Sequence, residues 1–574
     1  MSAPADPTAS PPSPDTVTYD PSHPCPERPG VTMFGPDFPF AYDAWLAHPD
    51  GLGAVPEDRL GSEVAVVGAG MAGMVAAYEL LRLGLRPVVY EAEQIGGRMR
   101  STPFEGVEGA IAEMGAMRFP SSARALFHYI DSLGLPTEPF QNPLAPATPS
   151  TVVDLKGVPH WARSLDDLPA VYQQVADHWD KALEEVAEFS AMTDAIRRRD
   201  IAMIKAIWNR LLPAFDDESF YGFLAHAPSL RSFHHREVFG AVGFGSGGWD
   251  TDFPNSVLEV LRVVYSGADH DHQRIPGGCQ QIPEGLWRRS PADMAHWPAG
   301  TSLASLHGGV PRPAITALRR AGSSIEVTDA DGATRSYASV VFTAQLSVLL
   351  TRVKCDPSLL SDLHWTAVER THYMGASKLF VAVDRPFWLD RDPLTGRDTL
   401  SMTLTDRLPR GMYLFDNGPD RPAVMCLSYT WNDDSLKFAT LDVGTRLDLV
   451  LGSLRAIYPG VDIRSHIVGA PLAVTWETEP NFMGAFKQNL PGQYRYQRRL
   501  FTHFVQRDAD PAQRGFFLAG DDVSWTGGFA EGAVTTALNA VWGVLDHLGG
   551  TTRPANPGPG DVYDAIAPLA FTEL

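Results

Sequence analysis

The pattern of apolar and polar positions predicts a strand, a helix and a second strand near the start of the chain. Val64–Val67 is a short apolar run bounded by glycine, which is typical of a buried strand. Met71–Leu83 follows with residues that favour helices, and Val88–Tyr90 is a second apolar run that ends at Glu91. Strands that alternate with helices in this way are typical of a parallel sheet with helices on its faces.

Two longer segments show different periods. Residues 156–270 place apolar and charged positions at helical spacing, as in LPAVYQQVADHWDKALEEVAEF, and we predict a mostly helical insertion. Residues 351–495 carry strand-like runs, among them KLFVAV, MYLFDN and AVMCLSY, which predict an antiparallel sheet. The chain of 574 residues exceeds the size at which a single core stops growing, so we expect two interleaved domains.

Charge and composition exclude several classes of function. The 47 basic and 68 acidic side chains give a formal net charge of -21, which argues against nucleic acid or an anionic membrane as the main partner. No apolar stretch is long enough to predict a membrane span. Residues 1–30 are rich in Pro, Ser and Thr, and we predict that they form a disordered tail.

The cysteines and histidines predict no metal site. The four cysteines form no CxxC pair, and the pairs His234/His235 and His270/His272 lack the ligand set and framing of a metal centre. We read these histidines as surface or packing residues. The cysteine usage is typical of a reduced protein, and we predict a cytoplasmic location.

A glycine motif lies at the turn between the first strand and the helix. In G-x-G-x-x-G the first glycine makes a tight turn, the second lets the backbone approach a pyrophosphate, and the third lets the helix pack on the strand. The acidic residue about twenty positions on is placed to bind a ribose hydroxyl. The motif therefore predicts a dinucleotide site formed by Gly68, Gly70, Met71, Ala72, Gly73 and Glu91.

A second glycine match, at 243–248, runs into WDTDFP, where Pro254 and acidic turn residues prevent a helix from following at once. We predict a loop there, which leaves a single dinucleotide site and no separate site for NADPH.

Three further stretches resemble the flavin amine oxidase superfamily. They are GGRMR at 96–100, EMGAMRFP at 113–120 and FFLAGDDVSWTGGFAEGAVTTALNAVWG near the C-terminus. The resemblance implies FAD as the cofactor, with the arginine of the first stretch at the pyrophosphate, Asp521 at the ribityl chain and a helix start facing the flavin. The cofactor residues that it adds are Gly97, Arg98, Gly115, Ala116, Met117, Arg118, Gly520, Asp521, Ala533 and Val534.

Within that superfamily the chain is most similar to the bacterial L-amino-acid 2-monooxygenases. The similarity spans roughly 33–565 and is carried by MFGPDFPFAYDAWLAHP, GFGSGGWDTDFPNS, LSMTLTDRLPRGMYLFDNG and NFMGAFKQNLPGQYRYQRRLFTHF. The lysine enzyme is the nearest match, with the arginine, tryptophan and phenylalanine enzymes close behind. The resemblance implies an α/β fold: a discontinuous Rossmann-like FAD-binding domain (31–135, 278–350 and 498–550) and an antiparallel-sheet substrate domain with the helical insertion (136–277 and 351–497).

A free amino acid needs separate contacts for its carboxylate, its α-carbon and its side chain. Arg118 suits the carboxylate, because a guanidinium offers a planar fork of donors, and the family's equivalent arginine has that role. Lys378 stands where the superfamily keeps a lysine that contacts flavin N5 through water and assists the reaction with oxygen. The segments that line the flavin's substrate face in relatives contain Trp431, Trp476, Phe486 and Phe529.

Asp252 is the candidate for the substrate side chain. It lies where the lysine enzyme places the acid that selects a basic substrate, and an acid stabilises a cation in a partly desolvated pocket. Asp250 is an alternative for the same role. Asp252 could instead cap the helix predicted near Ser256 or stabilise the turn.

The sequence thus predicts an FAD-dependent L-amino-acid 2-monooxygenase that uses O2 to convert lysine, or arginine, to the corresponding amide, CO2 and water. The alternatives are an L-amino-acid oxidase and a tryptophan or phenylalanine 2-monooxygenase. More remote are a polyamine or monoamine oxidase, whose substrates lack a carboxylate for Arg118, and a catalytically idle flavoprotein scaffold. The expected partners are a free L-amino acid and O2, with no nucleic acid and no membrane, and we expect a homo-oligomer, in the simplest case a dimer.

Overall fold

The computed structural model describes residues 33–571 apart from 243–248, 292, 293 and 295. The predicted disordered tail (1–30) and the predicted glycine-rich loop (243–248) therefore lie outside the described residues. In the described part no helix is long and apolar enough to cross a membrane.

A four-stranded parallel sheet forms the first layer. Its strands run in the order Arg86–Tyr90, Glu63–Val67, Ser339–Phe342 and Phe516–Leu518. They are nearly continuous apolar runs, as expected for strands covered on both faces. The first strand leads into the helix Met71–Arg82, which confirms the strand, helix and strand predicted from the glycine motif. The helix Ala530–His547 packs against that helix, so a C-terminal segment contacts an N-terminal one.

A seven-stranded sheet forms the second layer. Neighbouring strands are antiparallel except for one pair, Met402–Thr405 and Thr151–Leu155, which run parallel. The order is Ile467–Thr475, Ala376–Val383, Ala423–Trp431, Gly411–Phe415, Met402–Thr405, Thr151–Leu155 and Val158–Ala162. The sheet predicted from residues 351–495 is confirmed, and 151–162 adds two strands to it. The strand Val158–Ala162 departs from the helical prediction for 156–270, because its partner along the sheet edge supplies the backbone hydrogen bonds.

The insertion between the sheets is otherwise helical, as its periodicity predicts. Asp200, Ser219 and Ser256 accept hydrogen bonds from backbone N–H groups in the first turn of the helices that follow them. Its helices are Ala170–Ala187, Phe189–Arg198, Ile201–Phe215, Phe220–His226, Phe233–Val242 and Val257–Tyr265.

Smaller sheets connect the two layers. A three-stranded sheet pairs the central strand His272–Arg274 with Phe119–Pro120 and Glu138–Pro139. A four-stranded sheet has the order Thr334–Tyr337, Ser324–Asp329, Ile315–Ala321 and Lys354–Cys355. Two further sheets have two strands each: Ser101–Pro103 with Ile111–Glu113, and Tyr373–Met374 with Phe486–Lys487. The remaining helices are Tyr42–Ala47, Arg124–Leu133, Gln281–Arg288, Leu303–Leu306, Leu346–Thr351, Asp362–Arg370, Asn432–Leu436, Val443–Ile457, Ile463–His466, Tyr494–Thr502 and Tyr563–Ile566.

The architecture is thus α/β, with a parallel sheet, a second and mostly antiparallel sheet and a helical insertion, as the sequence predicts. The residue boundaries proposed for the two domains stay a prediction.

A buried ionic network fixes the helix Val257–Tyr265 beside both layers. Arg262 pairs with Asp37 over 2.7 Å and with Glu259 over 2.6 Å, and Lys487 pairs with Glu259 over 3.3 Å. All four side chains are buried, and each charge is compensated by its neighbour, as buried charges require. The network holds the helix against the strand that begins at Phe486.

Candidate active site

A cavity of about 460 Å³ lies between the two large sheets. The parallel strands contribute the residues at their carboxyl ends, which is where ligands bind in open α/β sheets. The second sheet contributes Ala376, Lys378, Tyr429 and Trp431. The cavity brings together these residues predicted from sequence: Gly68, Gly70, Met71, Ala72, Glu91, Gly97, Arg98, Gly115, Ala116, Met117, Arg118, Asp252, Lys378, Trp431, Trp476, Phe486, Gly520, Asp521, Phe529 and Ala533.

Two predicted cofactor residues do not line the cavity. A Cβ on Gly73 would lie 1.8 Å from the carbonyl oxygen of Gly68, so Gly73 permits the close packing of helix on strand. Val534 is fully buried in the core, because the first turn of its helix turns that side chain away from the cavity. Its side chain therefore does not face the cavity, and a contact of Val534 with the cofactor stays a prediction of the sequence.

The glycine turn fits a dinucleotide. A Cβ added at Gly70 would meet nothing nearer than 3.8 Å, so the backbone there is open to the cavity. Gly68 has a φ of +104°, a conformation that residues with side chains rarely adopt. The helix Met71–Arg82 begins directly after this turn, and its N–H groups and dipole favour phosphate. Opposite it, Gly115 approaches so closely that a Cβ would lie 1.7 Å from the carbonyl oxygen of Arg98.

Glu91 is held at the end of its strand. Its carboxylate accepts hydrogen bonds from the N–H of Ala69 over 2.6 Å and of Glu93 over 2.9 Å. Burial raises the pKa of Glu91, and the backbone N–H groups act against that shift. The fixed carboxylate beside the glycine turn lies where the motif predicts the ribose.

Arg98 and Asp521 form an ion pair at the cavity between an N-terminal and a C-terminal segment of the chain. The guanidinium donates to both carboxylate oxygens of Asp521, one of them over 2.9 Å, and to the carbonyl oxygen of Ala485 over 2.9 Å. Gly520 and Asp521 follow the last parallel strand directly. A paired arginine and aspartate at this edge suit the polar middle of a dinucleotide.

Replacing Gly73 with alanine should weaken retention of the dinucleotide and lower the melting temperature, since the new methyl group would collide with Gly68. Overpacking of this kind costs about 1–3 kcal/mol or more. Gly452→Ala is the matched control: Gly452 also lies inside a helix, but a Cβ there meets nothing within 4 Å, so the variant should be as stable as wild type or more so. Thermal melting with the released cofactor as the signal measures both variants, and equal melting temperatures would contradict the packing role.

Lys378 lies on the strand Ala376–Val383, which is paired on both sides within the second sheet, and its side chain is buried. Its ammonium donates to the carbonyl oxygens of Glu113 over 3.0 Å and of Gly115 over 2.5 Å. It also lies 4.8 Å from the centre of the Tyr429 ring. Burial lowers the pKa of Lys378 to about 8. An ammonium has three donors, so one remains for the cavity.

Arg118 combines a fixed position with an uncompensated charge. Its Nη1 donates to Oδ1 of Asn142 over 2.5 Å, and the guanidinium lies 5.6 Å from the Phe140 ring and 5.8 Å from the Tyr413 ring. Among the described residues, no carboxylate lies within 4.0 Å of Arg118. A guanidinium that faces a cavity without an anionic partner is suited to bind a carboxylate ligand.

Asp252 and Asp250 are separated by the fold. Asp250 pairs with Arg410 over 3.1 Å and does not line the cavity, so it is not available as the alternative to Asp252. Asp252 lines the cavity, is buried, and accepts a hydrogen bond from Nδ2 of Asn255 over 3.0 Å. Burial raises the pKa of Asp252 to about 7. Ser256, rather than Asp252, caps the following helix.

Aromatic side chains form much of the wall near Lys378. Trp431 packs edge-on against Phe486 at 5.7 Å and Tyr429 at 5.5 Å. Trp476 is buried and donates from Nε1 to the carbonyl oxygen of Met114 over 3.1 Å. These rings and Phe529 give the cavity an apolar wall.

Sequence reasoning missed several residues of the site. Asp269 lines the cavity, and burial raises its pKa to about 6. His272 also lines the cavity, although its sequence context offers only a surface or packing role, and Asn142 contacts Arg118 from a segment without any motif. The one available signal was the position of Asp269 and His272 just beyond a strongly amphipathic helix.

Comparisons with known proteins agree with this geometry. A family model described as flavin containing amine oxidoreductase matches residues 71–545. The chain is 33% identical to tryptophan 2-monooxygenase of Pseudomonas savastanoi, over 88% of this chain and 93% of that protein. It is 31% identical to tryptophan 2-monooxygenase of Rhizobium radiobacter, over 88% of this chain and 68% of that protein. The L-amino-acid oxidase of Mus musculus is 26% identical, over 85% of this chain and 71% of that protein.

Solved structures show the same fold. A wild-type putrescine oxidase bound to putrescine superimposes with a TM-score of 0.63 at 18% identity, covering 84% of this chain and 99% of that one. The cyclohexylamine oxidase of Brevibacterium oxydans superimposes with a TM-score of 0.58, also at 18% identity, covering 85% of this chain and 100% of that one. The chain therefore belongs to the flavin-containing amine oxidoreductase family and is an FAD-dependent oxidoreductase.

Proposed function

We propose that this protein is an L-amino-acid 2-monooxygenase with an aromatic amino acid, tryptophan, as its substrate. The observation that carries the proposal is the unpaired Arg118 guanidinium, which shares an aromatic cavity with Lys378. Amines such as putrescine offer no carboxylate for that guanidinium. Relatives that are 31% and 33% identical over 88% of this chain are tryptophan 2-monooxygenases.

The reaction follows from the roles of the residues. Arg118 holds the substrate carboxylate and so directs the α-carbon toward Lys378. Bound between the glycine turn and Lys378, FAD would supply the redox chemistry between the α-carbon and O2, while the protein positions both reactants. Lys378 places its remaining N–H, and at neutral pH its positive charge, where oxygen is reduced. The aromatic walls keep the resulting imino acid enclosed with peroxide, so that decarboxylation gives the amide, CO2 and water.

Tryptophan is favoured over a basic side chain by the relatives and by the aromatic walls. The sequence alone favours lysine or arginine, but none of the relatives compared above carries the name of a lysine or arginine enzyme. With tryptophan, Asp252 would accept a hydrogen bond from the indole N–H. A basic amino acid is the second candidate, because the buried carboxyl of Asp252 has no cation within 4.0 Å among the described residues.

An aerobic panel of L-amino acids, scored for amide and for peroxide, tests the proposal. Tryptophan should give indole-3-acetamide, with one O2 consumed per amide formed. Keto acid, ammonia and stoichiometric peroxide would instead identify an L-amino-acid oxidase. If no amino acid bleaches the flavin without oxygen, the scaffold alternative applies. A homo-oligomeric state and a cytoplasmic location stay predictions of the sequence.

Asp252 variants separate the two substrate classes. Asp252→Asn should retain tryptophan activity within a few-fold, because the amide oxygen still accepts the indole N–H. Any activity on lysine or arginine should fall at least ~10-fold, since a buried cation left unpaired costs more than 1 kcal/mol. Asp250→Asn is the control, because its carboxylate pairs with Arg410 away from the cavity. Values of kcat/KM for tryptophan and lysine measure the effect, and a wild-type preference for lysine would make the basic substrate the correct one.

A further inference from the structure

Arg118, Asn142 and His272 come from distant parts of the chain and meet at the three-stranded sheet. Arg118 directly precedes one edge strand, His272 opens the central strand, and Asn142 lies shortly beyond the other edge strand. The pairing places Pro120 opposite His272, and the N–H of Phe140 donates to the carbonyl oxygen of His272 over 2.7 Å. The register of this sheet therefore determines which side chains face Arg118.

The three side chains form a hydrogen-bonded chain. Nη1 of Arg118 lies 2.5 Å from Oδ1 of Asn142, and Nδ2 of Asn142 lies 2.7 Å from Nδ1 of His272. A guanidinium only donates, so Asn142 presents its oxygen to Arg118 and its NH2 to His272. Nδ1 of His272 must then accept, which places the ring hydrogen on Nε2. That nitrogen lies 3.0 Å from the carbonyl oxygen of Ala268, which accepts the hydrogen bond.

His272 is held in the neutral form that this arrangement requires. Its side chain is buried, and burial, together with the positive charge of Arg118, lowers the pKa of His272 to about 3. A proton on Nδ1 would oppose the NH2 of Asn142 and break the chain. The neutral ring and the fixed Ala268 carbonyl therefore orient Asn142.

The groups that anchor Arg118 are all uncharged. An amide holds one nitrogen of the guanidinium, and the aromatic rings of Phe140 and Tyr413 lie close to it. A carboxylate at position 142 would hold the guanidinium as firmly, but it would compensate the charge that a ligand carboxylate needs. The asparagine fixes the orientation of Arg118 and leaves its charge free.

We propose that Asn142 and His272 are positioning residues that hold the Arg118 guanidinium ready for the substrate carboxylate. The inference rests on the carboxylate-binding role proposed for Arg118. Asn142 contacts Arg118 and His272 contacts Asn142, so both act through Arg118 on binding and not on the chemical step.

The test compares two ligands that differ only in charge. Indole-3-propionate carries the carboxylate of tryptophan without its amine, and indole-3-propionamide replaces that carboxylate with an uncharged amide. Titration of the FAD-bound protein, followed by flavin absorbance, gives a Kd for each ligand without any turnover. The variants are Asn142→Ala, Asn142→Asp and His272→Phe, and His226→Phe on the exposed surface is the matched control for the last of these.

Asn142→Ala should raise the Kd of indole-3-propionate ~10-fold. Asn142→Asp should raise it ~100-fold, because an internal ion pair then competes with the ligand. His272→Phe should raise the same Kd ~5-fold, because Asn142 is then no longer held in its orientation. The Kd of the amide should change less than twofold in all three variants, and His226→Phe should resemble wild type. The rate of anaerobic flavin reduction at saturating amino acid should stay within a few-fold of wild type.

An equal loss of affinity for both ligands would show a merely structural role and overturn the proposal. An unchanged carboxylate Kd in Asn142→Asp would overturn it as well, as would a wild-type protein that binds both ligands equally. The proposed function fails independently. If the two ligands differ in Kd as expected but no amino acid is converted to an amide, the monooxygenase reaction is wrong and the positioning of Arg118 is right.

Discussion

Replacing Arg118 with leucine is expected to raise the KM for the amino acid by about 100-fold or more while FAD stays bound. A bidentate charge pair in a dry cleft contributes on the order of 3 kcal/mol, and each 1.4 kcal/mol is a factor of about ten in KM. The structure strengthens this expectation, because the guanidinium faces the cavity without a carboxylate partner among the described residues. Steady-state kinetics with the best substrate of the panel measure the effect.

The control for this variant is Arg385→Leu, which removes an exposed guanidinium that pairs with Asp390 on the surface. Exposed pairs contribute little, so its kinetics should match wild type. Arg118→Lys should recover only part of the affinity, because an ammonium lacks the planar fork of donors. An Arg118→Leu enzyme with the KM of wild type would remove Arg118 from the substrate site.

Replacing Lys378 with methionine is expected to lower kcat/KM for O2 by about 100-fold, the usual contribution of a positioned proton donor or acceptor. Methionine keeps the length of the side chain and fills the buried position, but it removes the charge that lies beside the carbonyl groups of Glu113 and Gly115. The rate of anaerobic flavin reduction should fall much less, because oxygen takes no part in that step. Stopped-flow measurements separate the two rates, and Lys437→Met is the control at an exposed lysine.

The pH dependence gives an independent check on Lys378. Burial lowers its pKa to about 8, so the side chain is charged below that pH and neutral above it. If the charged form promotes the reduction of oxygen, the rate of flavin reoxidation should fall as the pH rises through about 8, and Lys378→Met should lack this step. A reoxidation rate that is independent of pH in the wild-type enzyme would contradict the role of the charge.

Much of the cofactor site is determined by the sequence itself. The glycine turn, the helix that follows it and Glu91 are close together in the chain, so local conformation alone brings them into place. Arg118, Lys378 and Asp521 are far apart in the chain, but each lies in a stretch that resembles the family, and the cavity contains all three.

Other features were decided only by the tertiary structure. The sequence offers Asp250 as an alternative to Asp252, and the ion pair with Arg410 holds Asp250 away from the cavity. Val534 lies in a predicted helix start, yet the rotation of that helix buries it in the core.

The anchor of Arg118 depends most strongly on long-range contacts. Asn142 and His272 are ordinary polar residues outside any motif, and only the register of the three-stranded sheet aligns them with Arg118. Side-chain periodicity and local propensity describe each strand separately, whereas the pairing between strands depends on contacts across the whole fold. The sequence by itself therefore determined the cofactor motif and located Arg118, Lys378 and Asp521, and the tertiary structure decided which neutral side chains hold Arg118 in position.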